Sequence, residues 1–64
     1  MNLGEMFKEQ RIIKGVTQQQ VAMETGISQK AISFWERNER TPNIKDCIKL
    51  ADYYGITLDE LVGR

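Results

Sequence analysis

The side chains best suited to chemistry lie between residues 29 and 37. An amide, a hydroxyl, an aromatic ring and two cations recur there at helical spacing, as Gln29, Lys30, Ser33, Phe34 and Arg37. On a helix this spacing brings the groups to one face, and no acid joins them. An amide can bond adenine through two hydrogen bonds, a cation can bond guanine or a phosphate, and an apolar tip can contact a thymine methyl group. The pattern therefore indicates a helix face suited to the major groove of double-stranded DNA.

The preceding residues predict a second helix that holds this face in place. Thr17 and Gln20 have the spacing of a capping box, in which each side chain bonds the backbone of the other residue. Gly26 supplies the left-handed residue that ends this helix, and Ser28 caps the next one. Helices joined by so short a turn must cross steeply. Residues 18–25 and the helix that follows them are therefore expected to form a helix-turn-helix.

The second of these helices is predicted to span residues 29–37, and its inner face is apolar. Ile32 and Trp35 are three residues apart and point to the side opposite the polar row. Ile27 is expected to fold into the corner beneath them. Trp35 is therefore predicted to lie in the core and not to serve as a stacking platform for single-stranded nucleic acid.

Cap and turn residues divide the rest of the chain as well. Asn2 and Gly15 bound a first helix, Pro42 stops the third, and Asn43 and Thr57 open two more. The predicted helices span about residues 3–14, 18–25, 29–37, 44–54 and 58–62 of a single domain, 1–64. The sequence thus predicts a compact all-α fold.

Apolar residues at helical spacing predict which faces of the outer helices turn inward. On the first helix, Phe7 is expected in the core, with Ile12 or Ile13 turning inward later. The predicted stripe of the fourth helix consists of Ile44, Cys47, Ile48, Ala51 and Tyr54. Tyr53 lies off that stripe and is expected to be exposed.

The composition excludes several classes of protein. A chain of 64 residues with one Cys and no His offers no internal disulfide, no metal site and no general base for Cys47. It has no glycine-rich phosphate loop and no apolar run long enough to span a membrane. We therefore expect a cytoplasmic protein that is not an enzyme and needs no cofactor. Cys47 is expected to be a buried apolar residue without a redox role.

The charge balance argues weakly against nucleic acid, because nine cations match nine acids, whereas DNA-binding domains are often basic. The positions of individual cations, in contrast, favour binding to nucleic acid. Lys30, Arg37 and Arg40 cluster on and just after the third helix. This distribution predicts modest non-specific affinity, with more of the binding resting on shape and base contacts.

One stretch carries a family resemblance. From residue 17 it reads Thr-Gln-x-x-Val-Ala-x-x-Thr-Gly-Ile-Ser-x-x-x-Ile-Ser-x-Trp-Glu-Arg, followed by Pro42. It resembles the phage-repressor and Cro family of helix-turn-helix DNA-binding domains, which includes regulators of the xenobiotic-response-element type. The similarity extends from about Leu3 to Val62. It implies a five-helix, lambda-repressor-like fold and a transcriptional regulator, most often a repressor. Such a protein binds a pseudo-palindromic double-stranded operator as a homodimer, with helix 3 in the major groove.

The resemblance also implies roles for individual residues. The residues expected to contact DNA are Thr17, Gln18, Ser28, Gln29, Lys30, Ser33, Phe34, Arg37, Asn38 and Arg40. Arg11 is expected to form a structural ion pair with Glu36, the alternative being two unrelated surface charges. Asn38 stands where the family usually has glycine, and asparagine tolerates the same left-handed turn. The dimer contact is expected near Leu58, Val62 and Arg64.

Three alternatives stay open at this stage. Phe34 stands at a position that is often polar in the family, so folding back as part of the core or of a dimer surface is as open to it as contact with DNA. Arg37 is also placed to pair with Glu36 or Glu39. The whole chain is also compatible with a protein-interaction module that kept the fold, or with an antitoxin-type regulator that binds both DNA and a toxin. No membrane, metal or small-molecule ligand is expected in any of these cases.

Overall fold

The computed structural model describes residues 2–64, which form five helices and no strand. These are α1 (Leu3–Lys14), α2 (Gln18–Thr25), α3 (Gln29–Glu36), α4 (Ile44–Tyr54) and α5 (Leu58–Val62). The predicted all-α fold is confirmed. α3 ends one residue before the predicted end, because Arg37 leaves the helical conformation and Asn38 adopts a left-handed one at φ 61°.

Local hydrogen bonds define where each helix begins. In every case the side chain of the capping residue accepts a bond from the backbone N–H three residues later. The five caps are Asn2, Thr17, Ser28, Asn43 and Thr57. α2 and α5 carry complete capping boxes. A cap of this kind stabilises a helix by about 1 kcal/mol, which matters in a chain with so small a core. The predicted caps are confirmed.

The core is built from residues of every helix. α1 lies against α3, α4 and α5, while α2 lies against α3 and α4. The buried apolar residues form one cluster, which consists of Phe7, Val21, Ile27, Ile32, Trp35, Cys47, Leu50, Ala51 and Leu61. Burial raises the pKa of the Cys47 thiol, which keeps it in the unreactive protonated form. No helix within residues 2–64 is long and apolar enough to cross a membrane.

The predicted inward faces of α1 and α4 are wrong in part. Ile12 and Ile13 are 60% and 68% exposed, and Ile44 and Ile48 are 67% and 45% exposed. On α4 the buried side runs through Cys47, Leu50, Ala51 and, half-buried, Tyr54. The inward face is thus centred on Leu50 and leaves Ile48 at its edge. Ile44 is the first residue of the helix and lies beyond the buried part of this face. On α1 the buried residues are Gly4 and Phe7, and Arg11 beyond them is mostly shielded from solvent by its pairing with Glu36.

Tyr53 also differs from the prediction, since it is half-buried and bonded. Its hydroxyl donates to Glu24 Oε1 at 2.8 Å, and Lys14 Nζ lies 4.8 Å from its ring centroid. These contacts connect the ends of α1, α2 and α4. They depend on side chains that are distant in sequence, so the spacing of residues within α4 did not predict them.

Gly4 brings α1 into direct contact with the end of α3. It is buried, and a Cβ atom added to it would lie 2.6 Å from the carbonyl oxygen of Glu36 and 2.8 Å from that of Trp35. Its backbone N–H donates to Asn38 Oδ1 at 2.9 Å. Only a residue without a side chain permits this approach, so Gly4 sets the position of α1 relative to α3.

Gly4→Ala is therefore expected to lower the free energy of unfolding by about 1–3 kcal/mol, because the backbone atoms it meets cannot rotate away. Urea denaturation at constant pH measures the change. Lys8→Ala, on the exposed side of the same helix, is the matched control and should change stability by less than about 0.5 kcal/mol. Equal stabilities for the two variants would show that α1 does not depend on this close approach.

Candidate nucleic-acid interface

The corner between α2 and α3 is rigid because its backbone and side chains are bonded to each other. Gly26 adopts φ 78° and ψ 7°, and Ile27 is buried in the core. The hydroxyl of Thr25 donates to the carbonyl of Val21 at 2.6 Å and accepts from the N–H of Ile27 at 3.2 Å. Ser28 then caps α3. The hydroxyl of Thr25 thus joins the last turn of α2 to the corner, a role that the spacing of residues in α2 does not predict.

α3 has a buried side and a solvent side. Ile32 and Trp35 are buried in the core. The opposite side carries the polar row, in which Gln29, Lys30 and Arg37 are exposed and Ser33 and Phe34 are half-buried. The chain's own helices therefore leave this row accessible to a partner.

The carboxylate of Glu36 joins three elements at the end of α3. It accepts from Arg11 Nε at 2.8 Å and Arg11 Nη2 at 3.1 Å, and from Gln18 Nε2 at 3.1 Å. Arg11 Nη1 also donates to the carbonyl of Val16 at 3.0 Å. The side chains of Arg11 and Glu36 are only 16% and 4% exposed. A bidentate pair at this burial holds α1, the start of α2 and the end of α3 in one geometry.

Two neighbouring groups are affected by this network. The hydrogen bond to Glu36 raises the pKa of Arg11, so its guanidinium stays charged. Burial strongly raises the pKa of Tyr54, and the nearby charge of Glu36 adds to the effect. The phenol therefore stays neutral beside the ion pair. No buried side-chain nitrogen or oxygen within residues 2–64 lacks a hydrogen-bond partner.

Asn38 bonds the start of α1. Its Oδ1 accepts from the N–H of Gly4 at 2.9 Å, and its Nδ2 donates to Asn2 Oδ1 at 2.8 Å. The side chain thus has partners within the protein, and its left-handed backbone turns the chain away from the axis of α3. Gln18 is similar, because its amide nitrogen is bonded to Glu36.

Cations gather around Phe34, which packs partly against the core cluster. Lys30 Nζ, Arg37 Cζ and Arg40 Cζ lie 5.8, 5.4 and 5.1 Å from its ring centroid. Arg37 also forms an exposed ion pair with Glu39 at 3.0 Å. The ring therefore occupies a position between the core and the solvent, where it contacts the charged groups of the polar row.

A groove of about 530 Å³ runs beside this ring, between α3 and the start of α4. Ser28, Phe34 and Arg40 line it, as do Asn43 and Asp46. Asn43 caps α4 by accepting the N–H of Asp46 at 2.8 Å. Backbone N–H groups at the start of a helix attract anions, whereas the carboxylate of Asp46 repels them. Across residues 2–64, no group of His, Cys, Asp or Glu is placed to hold a metal ion.

Comparison with known proteins identifies the relatives of the chain. A family model described as helix-turn-helix matches residues 7–61. The chain is 34% identical over 64 residues to the HTH-type transcriptional regulator ImmR of Bacillus subtilis. The match covers all of this chain and 50% of that protein. It is 38% identical over 64 residues to the cryptic phage CTXphi transcriptional repressor RstR of Vibrio cholerae, again covering all of this chain and 57% of the relative.

A third relative is the HTH-type transcriptional activator BcrR of Enterococcus faecalis, which is 32% identical over 63 residues, 98% of this chain and 31% of that protein. The chain therefore spans from about a third to somewhat more than half of the length of these three relatives.

Arg11→Met is expected to lower the free energy of unfolding by about 3–5 kcal/mol, because it leaves the Glu36 carboxylate buried without its cation. The double variant Arg11→Met, Glu36→Leu should recover most of that loss, since the unpaired charge is removed as well. Thermal and urea denaturation of the single and double variants measure both effects. A double variant no more stable than Arg11→Met alone would contradict this account.

Proposed function

This chain belongs to the helix-turn-helix family, and on that premise we propose that it is a sequence-specific transcriptional regulator that places α3 in the major groove of double-stranded DNA. The observation that carries the proposal is the polar row of α3, which is accessible while Ile32 and Trp35 hold the helix from behind. A helix presented in this way fits the width of the major groove.

The residues of the row divide by the chemistry of their side chains. Gln29 and Ser33 are placed at the start and middle of α3, where recognition helices contact base edges, and Lys30 beside Gln29 is assigned to a phosphate. Thr17 and Ser28 cap α2 and α3, so a phosphate near either one meets exposed backbone N–H groups. Arg37 and Arg40 are assigned to phosphates. Gln18 and Asn38 bond other helices, so we assign them chiefly to positioning.

We further propose that the chain binds a pseudo-palindromic operator as a homodimer and represses transcription. A single copy of α3 reads only a few base pairs, and two copies related by two-fold symmetry read half-sites about 34–36 Å apart. Leu58 and Val62 on α5 are half-buried in one copy, and with Arg64 they form the surface assigned to the second copy. The relative named a repressor supports repression. We also propose that this regulator acts in the cytoplasm, because the relatives named above come from bacteria, whose DNA lies there.

Selection from a random duplex library at two salt concentrations tests the proposal. A two-fold-related site should be enriched, and its affinity should fall as salt rises, because bound phosphates release counterions. A folded protein that enriches no site would instead favour the protein-interaction module. A single enriched half-site would contradict the dimer and leave DNA recognition standing.

Two substitutions separate base contact from phosphate contact on the enriched site. Gln29→Ala should weaken binding by about 1–3 kcal/mol and relax preference at one base pair. Arg37→Ala should weaken all sequences alike and reduce the dependence of log affinity on log salt by about one unit. Lys8→Ala removes a cation from the outer side of α1 and serves as the control. If neither variant differs from this control, the polar row of α3 is not the recognition face.

A further inference from the structure

Three of the four cation–ring contacts within residues 2–64 involve one aromatic residue, Phe34. Helical spacing brings two of the cations to the ring, since Lys30 and Arg37 are four and three residues from Phe34. The cations come from two parts of the chain, since Lys30 and Arg37 belong to α3 and its end, whereas Arg40 lies in the connection to α4.

Like charges held close together repel each other, so such a cluster needs a compensating attraction. The face of a phenyl ring carries partial negative charge and attracts ammonium and guanidinium groups. Phe34 is anchored because it packs against the core cluster. It therefore provides a fixed attractive surface around which three exposed side chains gather. The carboxylate of Glu39 pairs with Arg37 alone, whereas the ring contacts all three cations.

We propose that Phe34 is a positioning residue that gathers Lys30, Arg37 and Arg40 into one anion-binding cluster, which takes a backbone phosphate of DNA at the groove beside α4. This inference rests on the proposed function and adds to it a role for the ring itself. The ring is not assigned to a base. It acts through the cations, which approach its centroid to 5.1–5.8 Å.

The charge balance of the whole chain explains why a cluster of cations held together by Phe34 would aid phosphate binding. The formal net charge is zero, so the protein as a whole does not attract a polyanion. Two carboxylates also lie close to the cluster, Glu39 bonded to Arg37 and Asp46 at the groove. Attraction of a phosphate must therefore come from local positive charge that is held together. The ring supplies that organisation without adding charge.

A double-mutant cycle on binding to a short, non-specific DNA duplex at low salt tests this role. Phe34→Leu keeps an apolar side chain and all three cations, and we expect it to weaken binding about 3- to 10-fold. Arg40→Gln should weaken binding by a similar factor in the unchanged protein. In the Phe34→Leu background, the effect of Arg40→Gln should be at least about threefold smaller, because the cluster is already dispersed. Effects that simply multiply would overturn the proposal.

Two further variants separate the ring's charge distribution from its shape. Phe34→Tyr keeps an electron-rich ring and should bind within about twofold of the unchanged protein. Pentafluorophenylalanine at position 34 keeps an apolar ring of similar shape but lacks the negative face. It should behave like Phe34→Leu, and full binding by the fluorinated protein would overturn the proposal even if Phe34→Leu proved unstable.

The matched control removes the remaining cation–ring contact. Tyr53→Leu breaks the contact with Lys14, on the side of the molecule where α1 meets α4. It should leave duplex binding unchanged and show no coupling to Arg40→Gln. Coupling of equal size for Tyr53 and Phe34 would mean that a general loss of stability, and not the ring at α3, explains the result.

Measurement of the free protein distinguishes failure of this inference from failure of the proposed function. In the NMR spectrum, the side-chain methylene protons of Lys30, Arg37 and Arg40 should be shifted upfield by the ring of Phe34, and the shifts should vanish in Phe34→Leu. Unshifted protons in the unchanged protein would overturn the cluster directly. Shifted protons in a protein that binds no duplex would preserve the cluster and reject the DNA function.

Discussion

The buried carboxylate of Glu36 is the interaction on which the geometry of this small domain depends. Arg11 and Gln18 bond it from α1 and from the first turn of α2, while Glu36 itself ends α3. A pair so shielded from solvent contributes little net stability, because desolvation offsets much of its attraction. The contribution of the ion pair is instead to fix the relative orientation of the helices. A guanidinium and a carboxylate that meet through two parallel bonds permit one relative orientation, and that orientation determines how α3 is presented.

The contacts at the end of α3 reinforce that orientation from another side. Gly4 allows α1 to touch the carbonyl groups of Trp35 and Glu36, and Asn38 bonds the backbone of Gly4. Polar bonds and a close backbone contact thus act together at the end of α3. This matters because a domain of this size buries a smaller share of its surface than a larger domain does, so its stability is marginal. α3 is held by contacts with α1 and α2, and its outer row stays accessible.

Neutral overall charge and DNA binding are compatible because electrostatic attraction acts locally. Cations within one Debye length of a phosphate dominate the field that it meets, whereas charges on the far side of the domain are screened. In this chain the cations beside Phe34 lie on the same side as the polar row, and the ring gives them a common anchor. A low non-specific attraction also favours discrimination, because it leaves a larger share of the binding energy to base contacts.

The sequence by itself determined the fold class, the caps and the corner, and it indicated that the polar row of α3 faces away from the core. Those features depend on residues three or four positions apart, as in the capping boxes of Thr17 and Thr57. Only the tertiary structure decided which isoleucines stay exposed on α1 and α4, because inward faces depend on where neighbouring helices lie. It also decided that Gly4 and Asn38, 34 positions apart, meet, and that Tyr53 bonds Glu24, 29 positions away. Such contacts arise from packing between distant segments, which no local pattern encodes.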